Sequence, residues 1–184
     1  MRHRATPARV AAAGGATLDP LAERTIDSPV GPLHLVADAH AIRALQFTDL
    51  LGSKRASIAC ATDLPPSPAA LAWLDVLERE LGVYFTGRRH AFSLPLAPRG
   101  TPFQQRVWQA LLAIPWGATA SYGAIARSIG SPAAARAVGR ANHENPIAIV
   151  IPCHRVIGAS RQLVGYGGGL DRKRALLALE GHGG

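Results

Sequence analysis

The chain has 184 residues, enough for two small domains, and its 48% hydrophobic and 17% charged residues exclude a disordered chain. Its longest apolar runs, such as Ile147 to Ile151, fall far short of the ~20 residues that cross a bilayer, and the N-terminal Ala/Gly stretch lacks a signal peptide's bulky apolar core, which predicts a soluble cytoplasmic protein without a membrane partner. The net charge of +8 is uneven: residues 21 to 99 carry eight bases and eight acids, whereas residues 100 to 184 carry nine bases against three acids, an asymmetry that favours a polyanionic partner such as nucleic acid.

Residues 1–21 are basic, rich in small side chains and without periodicity, the pattern of a flexible tail. Residues 22–98 read as a small N-terminal α/β domain. Arg24 to Asp27, Leu33 to Ala37 and Ala41 to Phe47 are short strands of a meander, the first two joined by a turn at Ser28-Pro29-Val30-Gly31-Pro32. Ser67 with Pro68 opens a helix whose apolar positions Leu71, Leu74, Leu77, Leu81 and Tyr84 recur at helical spacing up to Gly87. His90 to Leu96 reads as one more strand, and Ala97-Pro98-Arg99-Gly100 as the linker to a second domain over residues 99–184.

The second domain changes character. Thr101-Pro102-Phe103-Gln104 is a capping box, followed by Phe103, Val107, Leu111 and Ile114 on one helical face. A helix from about Ser121 to Ile129 stops at Gly130. Ser131-Pro132 is expected to cap another from Ala133 to about Ala141, giving a helix-turn-helix shape. Ile147 to Ile151 looks like a strand, Val156 to Gly169 like a hairpin, and Leu170 to Glu180 is the last helix.

There are two cysteines, Cys60 and Cys153, and no C-x-x-C, which excludes a disulfide scaffold and disfavours a zinc site. Cys60 has no supporting constellation. Cys153 stands in Pro152-Cys153-His154-Arg155, where bases adjoin a thiol that reacts only as thiolate. Alone, the tripeptide also fits an inert buried cysteine beside two surface bases. The context decides: Ala135-Arg136-Ala137-Val138-Gly139, Asn145-Pro146, Pro152-Cys153-His154-Arg155 and Gly165-Tyr166-x-Gly168-Gly169-Leu170 follow in this order at close spacing.

That ordered set closely resembles the O6-alkylguanine-DNA alkyltransferases, or methylated-DNA–protein-cysteine methyltransferases. The resemblance covers residues 100–182, from Phe103-Gln104-Gln105-Arg106-Val107-Trp108 to Glu180-Gly181-His182, and residues 23–98 look like the family's N-terminal domain without a diagnostic motif. It implies an α+β chain: a ribonuclease H-like α/β domain, then a mainly helical, winged-helix-like domain with the helix-turn-helix. It implies that Cys153 takes the alkyl group from guanine O6, and from O4 of alkylthymine, once and irreversibly, with no cofactor and no metal. His154, with a water and Glu180, would remove the thiol proton. Asn145 would brace the turn, and Tyr122 would reach the base and the flanking phosphate.

The resemblance further implies base flipping in double-stranded DNA containing O6-alkylguanine, by a monomer whose clustering on DNA is left open. Arg136 would fill the vacated stack from a helix in the minor groove, with Ala135 and Ala137 permitting close approach. Arg106, Arg127, Arg140 and Arg172-Lys173-Arg174 are candidate phosphate contacts or solvated charge. Val156, Tyr166, Gly167 and Gly168 would line the pocket. Two positions depart from relatives: Gly167 replaces a serine hydroxyl, leaving a backbone N–H to serve alone, and His143 replaces a glycine. Two other readings compete. A cysteine hydrolase using Cys153 and His154 lacks an obvious oxyanion arrangement. A protein that recognises alkylated DNA without repairing it would lack the reactive cysteine.

Overall fold

The structure is a computed structural model that describes residues 9–10, 20–50 and 65–182; Cys60 and most of the predicted tail lie outside them. The chain forms two compact units, Met1–Arg99 and Gly100–Gly184.

The N-terminal unit holds a five-stranded sheet in the order β1-β5-β4-β3-β2, from β1 (Arg9–Val10), β2 (Ala22–Ile26), β3 (Leu33–Ala37), β4 (Ile42–Phe47) and β5 (Pro95–Leu96). β2, β3 and β4 form the antiparallel meander, and the Gly31 N–H closes the first turn on the Ser28 carbonyl at 3.0 Å. Helix α1 (Pro68–Phe85) packs on β2 and β3. Ser67 Oγ caps it from Ala70 N–H at 3.1 Å, and Ala70, Leu74, Leu77, Leu81 and Tyr84 are its buried stripe. Each such leucine contributes ~1.5–3 kcal/mol of burial. Leu71 stands outside that stripe at 40% exposure, because Ala70 takes the inward position.

Two expectations change here. Arg9–Val10, within the predicted tail, pairs in parallel with Pro95–Leu96, a long-range contact that no local pattern encodes. The strand expected over His90 to Leu96 shortens to Pro95–Leu96, and Ser93 before it is drawn to the buried Glu80 carboxylate instead, its Oγ donating at 2.7 Å.

The C-terminal unit is built on α2 (Pro102–Leu112), α3 (Tyr122–Ser128), α4 (Ala135–His143) and α5 (Leu170–Leu179). The capping box is complete: Gln104 N–H donates to Thr101 Oγ1 and Thr101 N–H to Gln104 Oε1. α2, α3 and α4 pack together around Val107, Trp108, Leu111, Ile125 and Val138, and Trp108 Nε1 donates to the Ala141 carbonyl at 2.9 Å.

α4 starts at Ala135, not Ala133, and Ser131 does not cap it. Ala134 N–H bonds the Ser131 carbonyl in a separate turn, and the first helical bond runs from Val138 N–H to Ala134. Ile147 to Ile151 is a tight turn, not a strand: Ile151 N–H bonds the Ile147 carbonyl and Ile149 sits at φ 69°, a strained conformation for a β-branched residue. The predicted hairpin over Val156 to Gly169 is absent among the described residues. Only β7 (Val156–Ile157) is extended, and its partner is β6 (Ala120–Ser121), in parallel. The chain is thus α+β, a small sheet unit followed by a helical one.

Candidate active site and nucleic-acid interface

A strained turn delivers the candidate nucleophile. Asn145, buried at the end of α4's exit loop, accepts Ile147 N–H on Oδ1 at 3.0 Å. Its Nδ2 donates to the Ile151 carbonyl at 2.8 Å and to Cys153 Sγ at 3.0 Å. One amide therefore locks both ends of the turn and touches the thiol. A donor aimed at sulfur stabilises thiolate over thiol. Backbone strain of this kind costs on the order of 1–3 kcal/mol and persists only where neighbours enforce it. Asn142 adds a second grip that sequence reading missed, its buried Nδ2 donating to the Cys153 carbonyl at 3.3 Å.

Cys153–Arg155 then turns as a single 3₁₀ turn, with Cys153 4% exposed and His154 fully buried. His154 Nε2 faces Glu180 Oε1 at 3.0 Å, just past the end of α5. Burial lowers the imidazole pKa and outweighs the Glu180 hydrogen bond and charge, which raise it, so the ring is neutral. With its proton on Nε2 towards the carboxylate, the ring leaves Nδ1 as an acceptor, buried and without a hydrogen-bond partner among the described residues. Burial pushes Glu180 up, yet the hydrogen bonds of His154 and Arg155 and the Arg155 charge prevail and carry it down to about 2. A carboxylate at a helix C-terminus opposes the dipole, and these partners offset that cost.

Arg155 is not a surface base. It lies 6% exposed, with Nε and Nη2 donating to the two Glu180 oxygens at 2.7 and 2.9 Å and Nη1 to the Ile114 carbonyl at 2.6 Å.

Lys173 corrects a second expectation. Expected as a phosphate contact between Arg172 and Arg174, it is fully buried, its Nζ donating to the carbonyls of Val156 at 2.6 Å and Val164 at 2.8 Å. Burial lowers its pKa to about 8, against a smaller upward pull from Cys153. It thus ties β7, directly after the nucleophile turn, to the loop carrying Tyr166, Gly167 and Gly168. Tyr122, at the first position of α3, reaches the same loop: its hydroxyl donates to the Gly165 and Val164 carbonyls at 3.2 and 3.3 Å, and its ring lies where a Cβ on Gly139 would touch it. Burial, then the charge of Cys153, raises the Tyr122 pKa, so the hydroxyl keeps its proton. Val156 is fully buried, its carbonyl held by Lys173 and its N–H donating to the Cys153 carbonyl. The two departures noted in the sequence meet: a Cβ on Gly167 would lie 3.1 Å from the His143 carbonyl oxygen and 3.8 Å from its Nδ1.

The outer face of α4 is chemically different. Arg136, Ala137 and Arg140 are exposed and Ala135 is half-buried, while Val138 and Ala141 face inward. Arg140 is 82% exposed but pairs with Glu144 at 3.0 Å, an acid held below its usual range first by that hydrogen bond. Arg106, Arg127 and Arg136 have no acidic partner among the described residues; Arg106 rests over the Phe103 ring at 5.9 Å. Among the described residues no His, Cys, Asp and Glu cluster is arranged to hold a metal, and no helix is long and apolar enough to cross a membrane.

A cysteine turn backed by a buried histidine and carboxylate, beside a basic helix-turn-helix, defines a thiol-bearing DNA-binding type of domain. Residues 102–182 match the family described as 6-O-methylguanine DNA methyltransferase, DNA binding domain, and residues 21–98 the 6-O-methylguanine DNA methyltransferase, ribonuclease-like domain. The methylated-DNA–protein-cysteine methyltransferase of Mycobacterium tuberculosis is 52% identical over 157 residues, 85% of this chain and 90% of that one. That of Methanosarcina acetivorans is 45% identical over 161 residues, 84% and 95% of the two chains. The crystal structure of Mycobacterium tuberculosis O6-methylguanine methyltransferase superposes with a TM-score of 0.73 at 50% identity, covering 87% of this chain and 92% of that one. A structure of Mycobacterium tuberculosis OGT in complex with DNA gives 0.73 at 51% identity, covering 86% and 91%. The chain belongs to the 6-O-methylguanine DNA methyltransferase family.

Proposed function

We propose that the protein repairs DNA by moving an alkyl group from guanine O6 to Cys153 Sγ in one irreversible step, with O4-alkylthymine as a second substrate. The observation that carries this reading is the Asn145 Nδ2 contact on Cys153 Sγ, in the same turn as the buried His154, whose Nε2 faces Glu180 and whose Nδ1 has no hydrogen-bond partner among the described residues. The thiol proton passes through a water to His154 Nδ1, and Glu180 balances the resulting imidazolium. The S–C bond forms as the C–O6 bond breaks, and the bonding pair leaves on guanine, which the Tyr122 hydroxyl meets with a hydrogen bond. The product thioether is a poor leaving group, so each chain acts once. Tyr166, Gly167 and Gly168 form the pocket, with Lys173 holding the loop beside it.

The target base must leave the duplex for its O6 to enter a pocket, at a cost of a few kcal/mol. Arg136 offsets part of this by occupying the vacated stack, with α4 in the minor groove and the small Ala135 and Ala137 allowing close approach. Arg106 and Arg127 contact phosphates, with a weaker part for Arg140. The relative solved in complex with DNA supports DNA as partner.

The test is a titration with duplex DNA carrying O6-methylguanine. Repaired guanine is expected to plateau at one equivalent of protein at any excess of DNA. Turnover beyond that would indicate a hydrolase or demethylating enzyme, and binding with no repaired guanine a recognition protein.

A further inference from the structure

We propose that Arg155 is a positioning residue that keeps His154 available as a base by sharing Glu180 with it; the inference rests on the alkyl-transfer reading above. The geometry is a fork. Glu180 Oε1 receives both His154 Nε2 and Arg155 Nη2, at 3.0 and 2.9 Å, while Oε2 receives Arg155 Nε at 2.7 Å. The Ile114 carbonyl fixes the third corner of the guanidinium at 2.6 Å, so the planar fork cannot swing away.

A buried imidazole facing a carboxylate alone would settle as an ion pair, with the proton on the ring and Nδ1 already filled. Here the carboxylate is balanced by a permanent cation, and a second proton would set two cations against one anion in a dry interior. The charged groups that bear on His154 are Glu180, Arg155 and the buried Lys173 of α5, with the titratable Cys153 thiol next to it in the chain; Arg155 and Lys173 both disfavour the imidazolium and Glu180 favours it. The ring therefore starts neutral and takes the thiol proton only as negative charge moves from sulfur to the departing guanine. Arg155 thus sets the pH at which the base becomes free while touching neither sulfur nor substrate.

The experiment compares Arg155→Lys, Arg155→Met and Arg155→Met/Glu180→Gln with the unaltered chain, in two readouts. One is the pH profile of methyl transfer from duplex O6-methylguanine; the other is the His154 imidazole titration by ¹⁵N NMR, which needs no activity. In Arg155→Met the acid limb and the imidazole titration are expected to move up together by about one pH unit or more, with Arg155→Lys between. Removing the carboxylate as well should bring the imidazole titration back down. If Arg155→Lys, which keeps the cation and suits folding, and Arg155→Met lower the rate equally at every pH and leave the imidazole titration unmoved, Arg155 only supports the fold. If the unaltered chain transfers no methyl group while the imidazole shifts as expected, the alkyl-transfer reading fails and the charge-sharing inference stands.

Discussion

In the N-terminal unit bases and acids balance, eight of each over residues 21–99: Arg24 holds Asp75 and Glu78, Arg43 holds Asp38, Arg89 holds Glu80, and the exposed Arg79, Arg88 and Arg99 stand without an acid among the described residues. The C-terminal unit has three acids, Glu144, Asp171 and Glu180, and each is taken by one arginine, Arg140, Arg174 and Arg155. Arg106, Arg127 and Arg136 are left without an acid among the described residues, and they are exposed. Equal numbers of opposite charges leave little net field, whereas an excess of positive charge on a rigid scaffold makes a surface for a polyanion. Within the C-terminal unit the same division recurs: the acid at Glu180 is buried against His154 and Arg155, and the unpaired bases stand on the outside.

That division breaks most sharply at the sulfur. Cys153→Ala should abolish methyl transfer yet leave duplex affinity, measured by fluorescence anisotropy, nearly unchanged, because no exposed arginine depends on Sγ. Cys60→Ala should change little in either.

Glu180→Gln comes next. It leaves Arg155 buried against a neutral amide, a change that costs ~3–5 kcal/mol where a buried partner is removed outright. Transfer should fall by about 100-fold or more, as for loss of general-base support. The unaltered chain offers a second reading of the same group. Because folding depresses the Glu180 pKa to about 2 from an ordinary 4.5, its contribution, on the order of 3 kcal/mol, is full above pH 4.5 and is lost as pH falls towards 2. Urea unfolding followed from pH 6 to pH 3 should lose about 2 kcal/mol of that stability, and Glu180→Gln should flatten the decline.

On the outside the effects are smaller and substrate-dependent. Arg136→Ala should slow repair of duplex DNA by about 5- to 150-fold, the equivalent of ~1–3 kcal/mol, and spare reaction with a free O6-substituted guanine base, which needs no flipping. Equal slowing of both would make Arg136 a support of the pocket or the fold. Arg140→Ala should have the least effect, since Glu144 already neutralises that charge and an exposed i,i+4 pair is worth only ~0.3–0.5 kcal/mol. Duplex affinity should fall with salt by ~0.9 log units per log unit for each neutralised phosphate, and Arg136→Ala should reduce that slope where Arg140→Ala scarcely does.

Much of this was legible in the sequence wherever a local rule applied. Ser67-Pro68 and Thr101-x-x-Gln104 mark helix starts because a cap needs only neighbouring residues, and Cys153, His154 and Glu180 fall within the C-terminal unit as ordered motifs. Partners chosen by tertiary contact were not legible. Lys173 reads as one of three surface bases, and only the loop folded over it supplies the carbonyls that replace water around its ammonium. Arg155 looks exposed until Glu180 returns just past the end of α5. Ile147 to Ile151 has strand composition, yet the Asn145 side chain bridges its ends and holds Ile149 left-handed, overriding β-propensity. The parallel pairings of β1 with β5 and of β6 with β7 join segments far apart in sequence, which periodicity does not report.

Whether Cys153 Sγ accepts an alkyl group from DNA is tested by intact-mass and peptide-mapping measurement after incubation with duplex DNA containing O6-methylguanine. One added methyl group per chain is expected, located on Cys153, with unmodified guanine recovered from the DNA. An unchanged protein mass beside repaired DNA, or a methyl group on Cys60 instead, would contradict transfer to Cys153.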